Sequence, residues 1–180
     1  MGVVVLSCTH RPASYTRRVA LYLLRRLEAR GVRAQFLDFQ YLPREFLFSD
    51  LFGARSEEFL PFIEVLYEAT KWLWVVPEYN GSYPGVVKVF IDALPREVFR
   101  GRWAGLVGLS DGRFGNLRGL EHLNGVLNYC GMQVLPYRAH LMHISERWQE
   151  SEGRPISAYI QELDHLLDML LLAPEPAKAN

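Results

Sequence analysis

The strongest constraint on this chain is the alternation of short apolar runs with longer amphipathic ones. The first run, "GVVVLS" over residues 2–7, is β-branched and unbroken, as a strand covered on both faces has to be. From Ser14 to Arg30 the period changes. Val19, Ala20, Leu23, Leu24 and Leu27 recur at helical spacing, and Gly31 is placed to end the helix. The alternation then repeats: "RAQFLDF", "KWLWVVP", "WAGLVGLS" and "MQVLPY" read as further strands. Helices are expected over residues 57–69 with Pro61 near the first turn, from Pro84 to Phe99, over "LRGLEHLNGVLNYC" and over "ISAYIQELDHLLDMLLL". The segment "QYLPREFLFSDLFGARS" is irregular and aromatic, and a polar stretch precedes the last helix.

Strands that alternate with helices pair in parallel through right-handed crossovers. The expected fold class is therefore α/β: a three-layer sandwich with a five-stranded parallel sheet in order 2-1-3-4-5 and helices on both faces. Ligands in such sheets bind beyond the carboxyl ends of the strands, where the strand order reverses. The loops after strands 1, 3 and 4, namely Cys8–Thr16, Glu78–Pro84 and Asp111–Asn116, should meet there. Residues 1–172 are expected to form one domain, with 173–180 as a mobile tail.

Composition narrows the function classes. Apolar residues make up 49% of the 180, enough for a full core. Lys+Arg and Asp+Glu number 20 each, which argues against a duplex nucleic-acid binder. No run is long enough for a membrane span and no secretory leader is expected. Two widely spaced cysteines, Cys8 and Cys130, fit a reducing compartment, so a cytoplasmic protein is expected.

The first loop, "SCTHRPASYTRR", offers hydroxyls from Ser7, Thr9, Ser14 and Thr16 together with Arg11. Placed at a helix N-terminus, these would complement a phosphate; Ser14 as a simple N-cap and Arg11 as a surface charge are the plainer alternatives. There is no G-x-x-x-x-G-K-[ST] and no G-x-G-x-x-G after the first strand, which disfavours a P-loop or a dinucleotide fold. A low-molecular-weight tyrosine phosphatase would need Arg six positions after its nucleophilic Cys; here that position is Ser14.

The stretch "PEYNGSYPGVVKVFIDAL" closely resembles the NADPH-dependent FMN reductase family, whose usual form is Pro-Glu-Tyr-Asn-Gly-Ser-x-Pro-Gly-x-Leu-Lys-Asn-x-Ile-Asp. Pro77 to Ser82, Pro84, Gly85 and Lys88 fit. The family's Gly-Ser-x-Arg-x-x-Ser-x-Asn loop is matched by Cys8, Thr9, Arg11, Ser14 and Thr16, with Cys8 adding a side chain where the family has Gly. "GLSDGRFGN" is similar to its Ser-x-Gly-x-x-Gly segment. The resemblance spans residues 3–136 and implies a flavodoxin-like fold with one bound FMN. It places Thr9, Arg11, Ser14, Tyr15 and Thr16 around the phosphate and Pro77, Glu78, Tyr79, Asn80, Gly81 and Ser82 along the isoalloxazine. Ser110, Gly112, Arg113 and Gly115 would close the other side.

The implied activity is hydride transfer from NADPH or NADH through FMN to a small-molecule acceptor such as free flavin, quinone or azo compound. A flavin-binding redox partner or sensor with little turnover is the alternative. No catalytic side chain and no metal ligand are implied, since the cofactor carries the chemistry. The family implies a homodimer or homotetramer, and Val86, Val87, Val89, Phe90, Ile91 and Leu94 supply apolar surface for the core or for such an interface.

Several further residues have two readings. Asp111 stands where small residues are common in the family; beside a flavin its charge would lower the potential, and as a turn aspartate it would not. Phe46, Phe48 and Phe52 could wall an acceptor pocket or pack under their loop. His140 and His143 fit core or surface roles better than metal ligation. Arg17, Arg18, Arg25, Arg26 and Arg30 are expected to form a solvated helix face.

Overall fold

The computed structural model describes residues 2–51 and 55–175. Its sheet has five parallel strands: β1 (Val3–Ser7), β2 (Ala34–Asp38), β3 (Lys71–Pro77), β4 (Trp103–Leu109) and β5 (Gln133–Leu141). They lie in the order β2-β1-β3-β4-β5, as the alternation of runs requires. The helices are α1 (Tyr15–Glu28), the short α2 (Phe46–Ser49), α3 (Leu60–Glu68), α4 (Gly85–Ala93), α5 (Leu117–Cys130) and α6 (Ser157–Leu172).

Strand period decides which face each residue serves. Val3, Val5, Leu73, Val75, Val107 and Leu109 pack with Val19, Leu23 and Leu27 of α1 and with Leu163, Leu166 and Leu170 of α6. Val4, Leu6, Trp72, Trp74, Val76, Ala104 and Leu106 point the other way, onto α3, α4 and α5. Burial on both faces explains why the strands read as continuous apolar runs rather than alternating ones. Gly105 makes room for this packing: a Cβ there would lie 3.1 Å from Leu73 Cδ1.

Differences from the expected elements have local causes. The helix expected from Pro84 to Phe99 ends at Ala93, because Leu94 precedes Pro95 and takes an extended ψ of 146°. The chain resumes as a 3₁₀ turn over Arg96–Val98. β5 runs past Tyr137 to Leu141; a bulge opposite Ala104 and Leu106 absorbs Pro136 on this edge strand. The polar stretch before α6 contains a small antiparallel pair, β6 (Trp148–Gln149) with β7 (Arg154–Pro155), too short to leave a period.

The arginine face of α1 is more engaged than a solvated one. Arg26 and Arg30 share Asp164 of α6 at 2.5 and 2.9 Å, Arg17 holds Asp38 at 2.8 Å, and Arg18 pairs with Glu150. The partly exposed Arg26 and Arg30 pairs orient α1 against α6 more than they stabilise it, while Arg17 ties α1 to the end of β2. At the amino-terminal ends of β3 and β4, Lys71 Nζ donates to Leu171 O at 2.8 Å and Trp103 Nε1 to Pro174 O at 2.9 Å, so the chain stays attached as far as Pro174. Residues 176–180 of the expected tail lie outside the described residues.

Phe46 is buried and stacks near Phe59, 5.7 Å between ring centroids, so it packs under its loop. Phe48 is 85% exposed, and Phe52 lies outside the described residues. Phe90 ties α4 to this loop through Phe39 at 4.5 Å and Phe59 at 6.0 Å. Phe90→Ala is expected to lower unfolding stability by about 3–5 kcal/mol. Urea denaturation measures this, and a loss below about 1 kcal/mol would mean the aromatic cluster does not hold α4.

Candidate functional site

Ser14 caps α1: its φ and ψ are −74° and 150°, and its Oγ accepts from Arg17 N–H at 3.2 Å. The amides of Tyr15 and Thr16 begin the helix and so have no intrahelical acceptor. Arg11 is exposed above them. Ala13 holds a left-handed φ of 52°, an unfavourable conformation for a residue with a Cβ, in the turn that aims these groups. A helix N-terminus, a hydroxyl cluster and a guanidinium converge here, which is an anion-binding arrangement.

The loop after β3 is a two-residue hairpin followed by Tyr83 and Pro84. Tyr79 N–H donates to Ser82 O at 2.8 Å and Ser82 N–H to Tyr79 O at 3.1 Å. Asn80 and Gly81 at its tip have φ of 52° and 77°, the signature of an Asn-Gly type I′ turn. Both tip amides form no hydrogen bond among the described residues, and both residues face the same cleft as the first loop. Glu78 N–H to Leu109 O, 2.9 Å, anchors the hairpin's base on β4. Thr9 joins the two loops. Its Oγ1 accepts from Arg11 N–H at 3.2 Å and lies 2.7 Å from Tyr79 OH.

The third side comes from the loops after β4 and β5, which are laced together. His143 N–H donates to Gly112 O at 3.3 Å, Ile144 N–H to Ser110 O at 3.2 Å and Ser145 N–H to Asp111 Oδ1 at 3.0 Å. Asp111 is thus a turn aspartate that also stands on the cleft wall. Gly115 is buried with φ 50°, and a Cβ there would lie 2.8 Å from the His140 carbonyl carbon.

The resulting cleft is about 690 Å³, within the usual range for a small-molecule site. Arg11, Ser14, Tyr15, Thr16, Pro77, Glu78, Tyr79, Asn80, Gly81, Ser110 and Gly112 line it. Thr9, Ser82, Arg113 and Gly115 do not. Thr9 is buried at the Tyr79 contact, Ser82 turns its Oγ to His122 Nδ1 at 2.9 Å, Arg113 is exposed, and Gly115 packs on β5. Pro12, Ala13, Leu109 and Ile144 line the cleft without having been singled out. Ile144 follows from the carboxyl-edge rule extended to the loop after β5.

Cys8 does not enter the cleft. It is fully buried, its Sγ reaches Leu6 O at 3.6 Å, and burial pushes its thiol well up, with the Asp38 charge adding to the effect. A buried thiol kept in its protonated form is a poor nucleophile, and with Ser14 at the position where a phosphatase needs Arg this argues against the phosphatase alternative. His140 Nδ1 is 3.2 Å from Gly115 O, and no group of three or more His, Cys, Asp or Glu among the described residues is placed to hold a metal ion. No helix among them is long and apolar enough to cross a membrane.

Residues 1–146 match the family profile described as NADPH-dependent FMN reductase. The chain belongs to the NADPH-dependent FMN reductase family. It is 31% identical over 105 residues to an NAD(P)H-dependent FMN reductase of Pseudomonas aeruginosa, aligning with 57% of this chain and 57% of that protein. It is 30% identical over 140 residues to a 2-hydroxy-1,4-benzoquinone reductase of a Burkholderia species, covering 75% and 74% of the two chains.

Solved structures share the fold of this FMN reductase family member. An NADH:FMN oxidoreductase superposes with a TM-score of 0.74 at 22% identity, covering 96% of this chain and 91% of the other. The NAD(P)H:(acceptor) oxidoreductase FerB of Paracoccus denitrificans gives 0.75 at 22% identity, covering 94% and 97%. The reductase family's sequence motif is thus found here as a particular hairpin, and its tip is testable. Gly81→Val would force a β-branched residue to φ 77° with its Cβ 3.3 Å from the Arg118 guanidinium. FMN affinity, measured by quenching of flavin fluorescence, is expected to fall roughly ten-fold or more while the circular dichroism of the fold is kept. An unchanged affinity would mean that the hairpin tip does not touch the ligand.

Proposed function

We propose that the chain is an FMN-dependent oxidoreductase that takes hydride from NADPH or NADH and delivers it to a small-molecule acceptor such as free flavin, a quinone or an azo compound. The observation that carries this reading is one cleft with two kinds of unused donor. At one end stand the first-turn amides of α1 with Arg11, Ser14 and Thr16; at the other stand the free amides of Asn80 and Gly81. That division matches a ligand with a phosphate at one end and a flat, acceptor-edged ring at the other. Gly81 at the hairpin tip lets backbone approach a planar ring.

In this reading Arg11, Ser14, Tyr15 and Thr16 hold the phosphate, with Thr9 and Tyr79 fixing the spacing between the two loops. Pro77, Glu78, Asn80 and Gly81 carry the ring edge, and Ser110 and Gly112 form the opposing wall. Bound FMN supplies the two-electron relay between nicotinamide and acceptor, so no side-chain acid or base is required. Glu78 and Asp111 add negative charge to the walls, and the guanidinium of Arg118, 4.0 Å from Glu78 Oε1, offsets part of it. The likeness to the Burkholderia 2-hydroxy-1,4-benzoquinone reductase makes quinones the first acceptors to try.

The largely exposed Tyr129 and the half-buried Val126, in a groove between α4 and α5 that Lys88, Asp92 and Arg96 also line, are the place we assign to contact in a homodimer or homotetramer.

The purified protein is expected to bind FMN and turn yellow, to be bleached anaerobically by NADPH or NADH, and to recover its colour on adding a quinone. In sedimentation equilibrium the same sample should be larger than a monomer. FMN binding without bleaching by either nucleotide would replace the enzyme reading with that of a flavin carrier, and absence of FMN binding would remove both.

A further inference from the structure

The hairpin after β3 is held from outside the cleft, by the start of α5. Asn116 sits at the cap of that helix, fully buried, with a left-handed φ of 63°. Its Nδ2 donates to both Val76 O and Pro77 O at 3.0 Å, the last two carbonyls before the chain turns into the hairpin. Its Oδ1 is buried and has no partner among the described residues. Space for the side chain is cleared by a neighbour: a Cβ on Gly119 would lie 2.0 Å from Asn116 Oδ1 and 2.7 Å from the Ser82 carbonyl carbon. One turn further along, His122 Nδ1 meets Ser82 Oγ at 2.9 Å.

Glycine would satisfy this backbone conformation without the left-handed penalty and without an orphaned oxygen. What Asn116 adds is the pair of bonds to Val76 and Pro77. Two consecutive carbonyls cannot both serve a regular strand edge, since successive ones point opposite ways. Their capture by one amide therefore fixes the local turn of the backbone just before Glu78.

We propose that Asn116 is the positioning residue of the hairpin, with His122 as lateral support, and that together they hold the Asn80 and Gly81 amides at the ring edge. This rests on the FMN reading above and names the residues outside the cleft that set its geometry. Neither residue touches the cleft.

The test compares FMN dissociation constants and flavin absorption band shape in the wild type, Asn116→Gly and His122→Ala. Asn116→Gly keeps the backbone conformation and is expected to weaken FMN roughly ten-fold or more and to alter the band shape. His122→Ala removes an exposed contact and is expected to weaken FMN about two- to five-fold at an unchanged melting temperature. Wild-type affinity and band shape in either folded variant would overturn the proposal. If the wild type itself fails to bind FMN, the fault lies with the proposed function. Amide exchange at Tyr79 and Ser82 then decides the brace: faster in both variants supports it, unchanged rates overturn it.

Discussion

The reversal of strand order at β1 governs everything above it. β1 is paired on one side to β2 and on the other to β3. Right-handed crossovers then place connections that run in opposite directions across the sheet on opposite faces. α1 leaves β1 toward the face shared with α6, and α4 leaves β3 toward the face shared with α3 and α5. The two loops diverge as they rise from adjacent strands. The crevice between them is a consequence of topology, present before any particular side chain is considered.

Chain-specific residues turn that crevice into a site. Backbone groups supply the donors: the first turn of α1 at one end and an Asn-Gly hairpin tip at the other. Side chains set the distances between them. Thr9 and Tyr79 tie the two loops together, and Glu78 anchors the hairpin on β4. The loops after β4 and β5 brace each other through three backbone donors. Small residues do the remaining work: Gly108, Gly115 and Gly119 each stand where a Cβ would lie within 3 Å of another backbone or side-chain atom. This is why a polar asparagine can cross behind the cleft without pushing α5 off the sheet.

Strand order, helix faces and the first and third loops were legible in the sequence because each is written in a period or a compact motif. β3 and α5 carry their full expected lengths for that reason. The break of the helix after Ala93 is also written, in Pro95, which bars Leu94 from the helical conformation. Other features have no local signature. Ile144 reaches the cleft because β5 runs past Pro136, which depends on a bulge against β4. The pairing of Arg26 and Arg30 with Asp164 joins residues more than a hundred positions apart. Asn116 looks like an ordinary loop residue until Gly119 and the end of β3 are seen beside it.

The most direct measurement is an amide NMR titration of the ¹⁵N-labelled protein with FMN. Occupation of the crevice in the orientation described requires the largest shifts at Tyr15 and Thr16 on the phosphate side and at Asn80, Gly81 and Gly112 on the ring side, with β2 and the Ile91–Tyr129 groove unmoved. Shifts centred on the groove between α4 and α5, or on only one end of the crevice, would contradict a single flavin nucleotide bridging the two loops.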